Sequence, residues 1–163
     1  MKNAILILLS AVLLTACNDS TDETTKWRQE NIDAYQAIVD DDTWAPLPSD
    51  TIAGWPRGVY YKDITPPETQ KGLTHPLQTS SVTVKYRGYF LNDTTNLFNA
   101  ETTSTFALNS VVRGFSVALQ NMVVGEKWQL CIPEHLGYGT STSGSVKAYS
   151  TLFFDVQLLN IKE

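Results

Sequence analysis

The chain is 163 residues long and has an ordinary globular composition, with 42% hydrophobic and 18% charged residues, enough for one domain with additional segments. The formal net charge is −5, and the 12 basic residues are scattered without a basic run. Because phosphate binding depends on clustered Lys and Arg, this charge argues against a nucleic-acid-binding protein.

The first residues have the pattern of a secretory leader. Lys2 precedes an almost wholly apolar run from Ala4 to Leu14, too short for the ~20 residues of a membrane-spanning helix. Leu14-Thr15-Ala16-Cys17 resembles a bacterial lipobox, which implies a leader over residues 1–16 and a lipid on the Cys17 thiol. The alternative is a plain secretory signal that leaves Cys17 unmodified.

The segment after the leader is polar and then helical in pattern. Residues 17–25 are predicted to form a solvated tether, because they are polar and acidic. This acidity also resembles a sorting signal of surface-exported lipoproteins, although a plain linker has the same composition. Residues 26–57 are predicted to form a helix over Trp27 to Val39, followed by a linker containing Pro and Gly. The helix has an apolar stripe that would pack on the main domain or on a second copy of the chain: Ile32, Tyr35, Ile38 and Val39.

Residues 58–163 are predicted to form the main domain. Period-two alternation indicates half-buried strands, with the apolar faces Val82, Val84 and Tyr86; Trp128, Leu130 and Ile132; and Leu152, Phe154, Val156 and Leu158. Gly58 to Ile64 and Phe106 to Leu108 are further strand candidates, and Phe115 to Met122 is the helix candidate. The pattern predicts an α+β fold, in which an antiparallel β-sheet of about five strands wraps around one short α-helix, with an N-terminal helical extension.

Little reactive chemistry is available in this domain. Cys131 stands alone in a strand-like run without neighbouring cations, which predicts a buried and inert thiol. His75 and His135 are far apart in the sequence, so a metal pair is not expected. Gly137 and Gly139 follow no strand–helix pattern, which argues against a phosphate loop. The domain is therefore expected to need no metal and no other cofactor.

Residues 58–163 resemble an FKBP-type peptidyl-prolyl cis–trans isomerase domain. The matching segments are the strand Val82–Gly88, Val111-Val112-Arg113-Gly114-Phe115 against a Val-Ile-x-Gly-Trp motif, Leu136-Gly137-Tyr138-Gly139 against Leu-x-Tyr-Gly, and the closing strand Thr151–Leu159. The preceding helix, the Gly58–Lys62 strand and the lipoprotein signal are similar to bacterial envelope members of that family.

The resemblance implies an aromatic pocket. Its catalytic residues would be Tyr86, Phe98, Asn99, Tyr138 and Phe154, and its substrate-binding residues would be Phe106, Val111, Val112, Phe115 and Val146. Phe115 stands where the family usually has tryptophan, and would offer the flat apolar floor that a proline ring needs. The Tyr138 hydroxyl and the Val112 backbone N–H would bind substrate carbonyls.

At two places the chain departs from the family pattern in a way that affects the expected catalytic activity. The family usually has aspartate where this chain has Asn99, so an acceptor-only carboxylate is replaced by an amide that also donates. This change is expected to weaken the polar contact with Tyr86 and with the substrate. The family's Ile-Pro-Pro flap is replaced by Gly144–Ser150, which predicts a looser and more polar lid with Val146 over the pocket.

The implied reaction is rotation about an Xaa–Pro bond, whose barrier is ~20 kcal/mol because the amide has partial double-bond character. An apolar enclosure removes water from the amide and eases twisting, so no reactive side chain is required. The expected function is a rotamase that assists protein folding as a chaperone in the bacterial cell envelope, lipid-anchored and facing the periplasm or the cell surface. The alternative is a catalytically weak or inactive FKBP-fold binding module.

The expected partners follow from this resemblance. They are proline-containing segments of client proteins, with macrolide immunosuppressants as further pocket ligands. Membrane contact would occur through the lipid on Cys17 alone, and no nucleic acid is expected. The sequence leaves monomer and dimer open.

Overall fold

The computed structural model describes residues 19–48 and 58–162. The predicted leader and Cys17 lie outside the described residues. The elements in chain order are α1 (Asp19–Val39), β1 (Ala45–Pro46), β2 (Tyr60–Asp63), β3 (Ser81–Tyr89), β4 (Leu97–Ala107), α2 (Arg113–Gln120), β5 (Lys127–Ile132) and β6 (Leu152–Lys162), with short 3₁₀ turns at Leu108–Ser110 and Glu134–Leu136. Within this part of the chain, no helix is long and apolar enough to cross a membrane.

The strands form one antiparallel sheet in the order β1-β2-β5-β6-β3-β4. The alternation predicted for β3, β5 and β6 is present: Val82, Val84, Leu130, Val156 and Leu158 are fully buried on one face. This face packs against α2 in the main hydrophobic core. The predicted α+β arrangement of a sheet around one short helix is therefore confirmed.

Gly114 explains how closely α2 approaches the sheet. A Cβ atom at this position would lie 2.3 Å from Cγ2 of Ile132 on β5, which is far inside van der Waals contact. Only glycine fits there without moving the strand or the helix. The glycine of the Val111–Phe115 segment is thus a packing requirement, and it fixes where Phe115 enters the core.

The opposite face of the sheet has a smaller core that α1 covers. Its buried members are Ile38, Trp44, Tyr89, Cys131 and Phe153, with Ala34, Tyr35 and Tyr60 packed against them. Cys131 is completely buried and has a free thiol, and burial raises its pKa. The prediction of a buried thiol at this position is confirmed.

The predicted apolar stripe of α1 is wrong at two positions. Tyr35 and Ile38 pack on the smaller core, whereas Ile32 is 50% exposed and Val39 is 37% exposed. The helix instead turns the polar Asn31 toward the domain, where its hydrogen bonds to a distant loop compensate for burial.

Three predicted boundaries also differ from the structure. α1 begins at Asp19, so most of the tether predicted over residues 17–25 is helical, and its acidic residues favour a helix N-terminus. β4 spans Leu97–Ala107 instead of Phe106–Leu108, because it is a mostly exposed edge strand without apolar alternation. β1 adds a short sixth strand within the predicted linker.

Candidate functional site

A cavity of about 420 Å³ opens on the face of the sheet near the start of α2. Its lining residues are Tyr86, Phe98, Asn99, Phe106, Ser110, Val111, Val112, Phe115, Tyr138, Ser143, Gly144, Ser145, Val146 and Phe154. All ten residues predicted for the pocket are among them. They come from β3, β4, the segment before α2, α2 itself, two parts of the loop between β5 and β6, and β6.

The aromatic side chains form one continuous cluster. Phe154 lies 4.8 Å from Phe115, 5.4 Å from Phe98 and 6.4 Å from Tyr86, measured between ring centroids. Tyr86 also packs edge-on against Phe106 at 5.5 Å. Phe154 and Phe115 are 6% and 4% exposed, so they form the rigid base of the cavity. Aromatic pairs in such tilted and edge-to-face arrangements contribute stabilisation beyond that expected from their buried area.

The position of Phe98 depends on a glycine in the neighbouring strand. The pairing of β3 with β4 is irregular on both sides of Gly88, which lies opposite Asn99. A Cβ atom on Gly88 would approach Cε2 and Cζ of Phe98 to 2.3 Å. The missing side chain therefore leaves the space that the Phe98 ring occupies beside the cavity.

Tyr86 contributes a hydroxyl to an otherwise aromatic wall. Burial raises its pKa, and the nearby Tyr138 acts in the same direction. The nearby Ser104 and Asn99 side chains partly offset this rise in pKa. The amide Nδ2 of Asn99 donates to the carbonyl of Ala100 at 2.8 Å, so this side chain is held against its own strand.

Val112 offers a backbone group at the edge of the cavity. It is the N-cap residue of α2, and its carbonyl accepts a hydrogen bond from the Ser116 N–H at 3.0 Å. The N–H groups at a helix start have no partner within the helix. The Val112 N–H therefore belongs to a set of donors that can bind a carbonyl oxygen.

The loop between β5 and β6 forms the remaining wall. Tyr138 is 40% exposed at the rim, whereas Val146 is 5% exposed. Paired backbone hydrogen bonds of 2.9 Å join Ser143 and Val146, and the Ser145 hydroxyl lies 3.4 Å from the Phe98 carbonyl. The predicted lid is therefore polar, as its composition indicates, but it is closed by a tight turn that places Val146 inward.

Four lining residues were not among the predicted site residues: Ser110, Ser143, Gly144 and Ser145. Three belong to the polar stretch of the lid, which none of the matching family motifs covers. Ser110 ends a 3₁₀ turn directly before Val111 and donates its hydroxyl to the Ala107 carbonyl at 2.7 Å. Its proximity in sequence to Val111 was the signal that could have identified it.

Among the residues that the structure describes, the lining contains no carboxylate, histidine, lysine, arginine or cysteine. The polar groups it presents are neutral hydroxyls, an amide and backbone N–H groups. The described lining therefore offers no side chain of the usual kind to act as a base for its serine and tyrosine hydroxyls. The fold and the cavity define a domain with a neutral, largely apolar pocket.

Comparison with known proteins places the chain in a family. The sequence profile described as FKBP-type peptidyl-prolyl cis-trans isomerase matches residues 72–159. The chain is 28% identical over 175 residues to the FKBP-type peptidyl-prolyl cis-trans isomerase FkpA of Aeromonas hydrophila, covering 94% of this chain and 65% of that protein. It is 32% identical over 111 residues to the outer membrane protein MIP of Legionella longbeachae, covering 66% of this chain and 46% of that protein.

The chain belongs to the FKBP-type peptidyl-prolyl cis-trans isomerase family. A crystal structure of a peptidyl-prolyl cis-trans isomerase from Pseudomonas syringae pv. tomato has the same fold, with a TM-score of 0.67 at 23% identity over 91% of this chain and 100% of that chain. The chain spans only about half to two thirds of the two relatives named above, at 46% and 65% of their length.

Proposed function

We propose that the protein is an active peptidyl-prolyl cis–trans isomerase that rotates Xaa–Pro bonds of client proteins in the cavity. The observation that carries this proposal is the convergence of ten residues from distant parts of the sequence on one aromatic cavity, whose described lining has no carboxylate, histidine, lysine or cysteine. Amide rotation needs enclosure and geometric complementarity more than it needs reactive side chains. In this assignment Tyr86, Phe98, Asn99, Tyr138 and Phe154 act on the reacting amide.

In the proposed mechanism, the aromatic base of the cavity and its polar rim have different roles. The proline ring packs on Phe115 and Phe154, with Phe106, Val111 and Val146 enclosing it. The Val112 N–H and the Tyr138 hydroxyl bind the carbonyls that flank the rotating bond. Removal of water disfavours the charge-separated resonance form of the amide, which is the form that resists twisting. Groups that fit the twisted amide better than the planar one then lower the barrier.

The proposed setting is the bacterial cell envelope. The apolar run from Ala4 to Leu14 and the lipobox-like residues before Cys17 support export and lipid anchoring. One relative is named as an outer membrane protein. The clients are proline-containing segments of envelope or secreted proteins, and macrolide immunosuppressants are a second class of pocket ligand.

A protease-coupled assay with a proline-containing tetrapeptide anilide tests the proposal. The purified protein should accelerate cis–trans conversion at micromolar concentration. The Tyr138→Phe variant, which removes only the rim hydroxyl, should lower kcat/KM about threefold to tenfold, since one neutral hydrogen bond contributes ~0.5–1.5 kcal/mol. Absence of acceleration by the unmodified protein would exclude the isomerase assignment.

The rate should not depend on pH over the range where many enzymes titrate. Burial keeps the pKa of Tyr86 above its ordinary value, so its hydroxyl remains protonated and able to donate throughout neutral pH. We therefore expect a flat profile of kcat/KM between about pH 6 and 9. The coupled assay with separately calibrated protease measures it. A bell-shaped profile would indicate an acid or base that the proposed mechanism does not contain.

One observation favours a second candidate, a binding module with little catalytic activity. The amide of Asn99 donates to the Ala100 carbonyl, a bond that a carboxylate cannot make. An aspartate at this position would accept a stronger hydrogen bond from Tyr86 than an amide can. Tight binding of a macrolide without turnover, together with turnover in Asn99→Asp, would support the binding module and identify this position as its cause.

A further inference from the structure

The helix α1 contacts the loop that forms the outer wall of the cavity. The indole Nε1 of Trp27 donates to the Ser150 hydroxyl at 3.2 Å, and the Lys147 ammonium lies 5.0 Å above the Trp27 ring. The Arg28 guanidinium lies 4.7 Å from the Tyr149 ring. Three residues near the end of the loop, Lys147, Tyr149 and Ser150, therefore contact two adjacent residues of α1.

Asn31 joins α1 to the end of the same loop. It is 1% exposed, which is unusual for a polar residue unless it is hydrogen-bonded. Its Oδ1 accepts the Thr151 N–H at 2.8 Å, and its backbone carbonyl accepts the Thr151 hydroxyl at 3.1 Å. Its Nδ2 donates to the Trp27 carbonyl at 2.8 Å, which fixes the orientation of the amide. These bonds are made in the interior, where water cannot replace them.

The loop needs external support because one of its residues is in an unfavourable conformation. Tyr149 has a φ of 63°, in the left-handed region that non-glycine residues rarely adopt. Its N–H donates to the Gly139 carbonyl at 2.8 Å, which closes the loop from Gly139 to Tyr149. Such a conformation persists only where surrounding contacts determine it. Here those contacts include Arg28 of α1.

A second route connects α1 to the cavity wall. Trp27 packs edge-on against Phe90 at 5.3 Å, and Phe90 lies 4.8 Å from Phe98. Phe98 lines the cavity, and the Ser145 hydroxyl lies 3.4 Å from its carbonyl. The same helix thus supports both the loop and the aromatic residue that the loop contacts.

We propose that α1 is a positioning element for the pocket, in which Trp27 and Asn31 hold the loop Gly139–Thr151 in the shape that encloses the substrate. This inference rests on the proposed isomerase function. It states that the substrate affinity of that site depends on a helix outside the cavity. Trp27 and Asn31 do not line the cavity and act through the loop. Their loss should therefore change KM more than kcat.

The test compares two hydrogen-bonding residues of α1. Asn31→Ala removes the amide that binds the loop. Tyr35→Phe removes the 2.9 Å hydrogen bond from the Tyr35 hydroxyl to the Gly58 carbonyl, which involves no residue of the loop Gly139–Thr151. Asn31→Ala should raise KM for the tetrapeptide anilide about tenfold with little change in kcat, and Tyr35→Phe should leave both unchanged.

Hydrogen exchange of residues 139–151 gives a readout that does not require catalysis. Asn31→Ala and Trp27→Phe should speed exchange in this loop while β3 and β6 stay protected, and Tyr35→Phe should not. Unchanged loop exchange and unchanged KM in Asn31→Ala would overturn the inference, as would an equal rise of KM in Tyr35→Phe. If the unmodified protein shows no turnover, the isomerase proposal fails, and loop exchange together with the dissociation constant of the tetrapeptide still decides the role of α1.

Discussion

Replacing Phe154 by leucine is expected to lower kcat/KM about tenfold, equivalent to ~1.4 kcal/mol of transition-state stabilisation. Phe154 contacts Phe98, Phe115 and Tyr86, so its ring connects the other aromatic side chains at the base of the pocket. Leucine keeps the apolar character but cannot maintain three ring contacts. The variant should also lose about 1–2 kcal/mol of stability, a part of the ~3–5 kcal/mol that complete truncation costs. The coupled assay and denaturant unfolding measure the two effects.

The adjacent residue supplies a matched control. Phe153 is fully buried on the other face of β6, in the smaller core beside Tyr89 and Cys131. Phe153→Leu should reduce stability by a similar amount and leave kcat/KM unchanged, since it does not line the cavity. Equal losses of kcat/KM in both variants would mean that Phe154 acts through general stability, and would remove it from the proposed site.

Replacing Gly88 by alanine is expected to reduce both activity and stability. The added Cβ would overlap the Phe98 ring, so the ring must leave its place beside the cavity. Overpacking of this kind costs about 1–3 kcal/mol, and we expect a loss of kcat/KM of about tenfold or more. The coupled assay measures the activity, and thermal or denaturant unfolding measures the stability.

A double-mutant cycle tests whether the overlap with Phe98 causes this loss. Phe98→Leu alone should reduce activity, because it removes an aromatic wall of the pocket. In that background, Gly88→Ala should cost much less stability, since the smaller side chain no longer collides with the added methyl group. If Gly88→Ala costs the same stability with and without Phe98→Leu, then Gly88 is required for the backbone irregularity of β3 and not for space beside Phe98.

The regular parts of the fold could be predicted because their residues alternate. Val82 and Val84 on β3, and Val156 and Leu158 on β6, repeat with a period of two and are all fully buried. β4 could not be predicted over its whole length, because an edge strand has one side free of pairing and here exposes residues such as Glu101 and Thr103. Hydrophobic periodicity indicates which strands are buried on one face, and β4 is too exposed to show such periodicity.

The candidate site could be predicted only through the resemblance to a family. Tyr86, Phe106 and Phe154 taken singly are indistinguishable from core residues. Ordered motifs indicated that they belong together, although none of those motifs covers the lid. The role of Asn31 lay outside any pattern, because its partner Thr151 is 120 positions away and a buried asparagine is not foreseeable from helical spacing.

The place of β6 within the sheet determines when the pocket can exist. β6 covers residues 152–162 but lies between β5 and β3, so the strand that follows all the other described strands in sequence is an interior strand. Until it is inserted, β3 and β5 have no common neighbour and Phe154 is absent from the cavity. Every pairing it makes joins distant parts of the chain, which is a slow kind of folding step. A nascent chain lacking these residues would therefore have no binding cavity, and ligand binding should appear only with the complete domain.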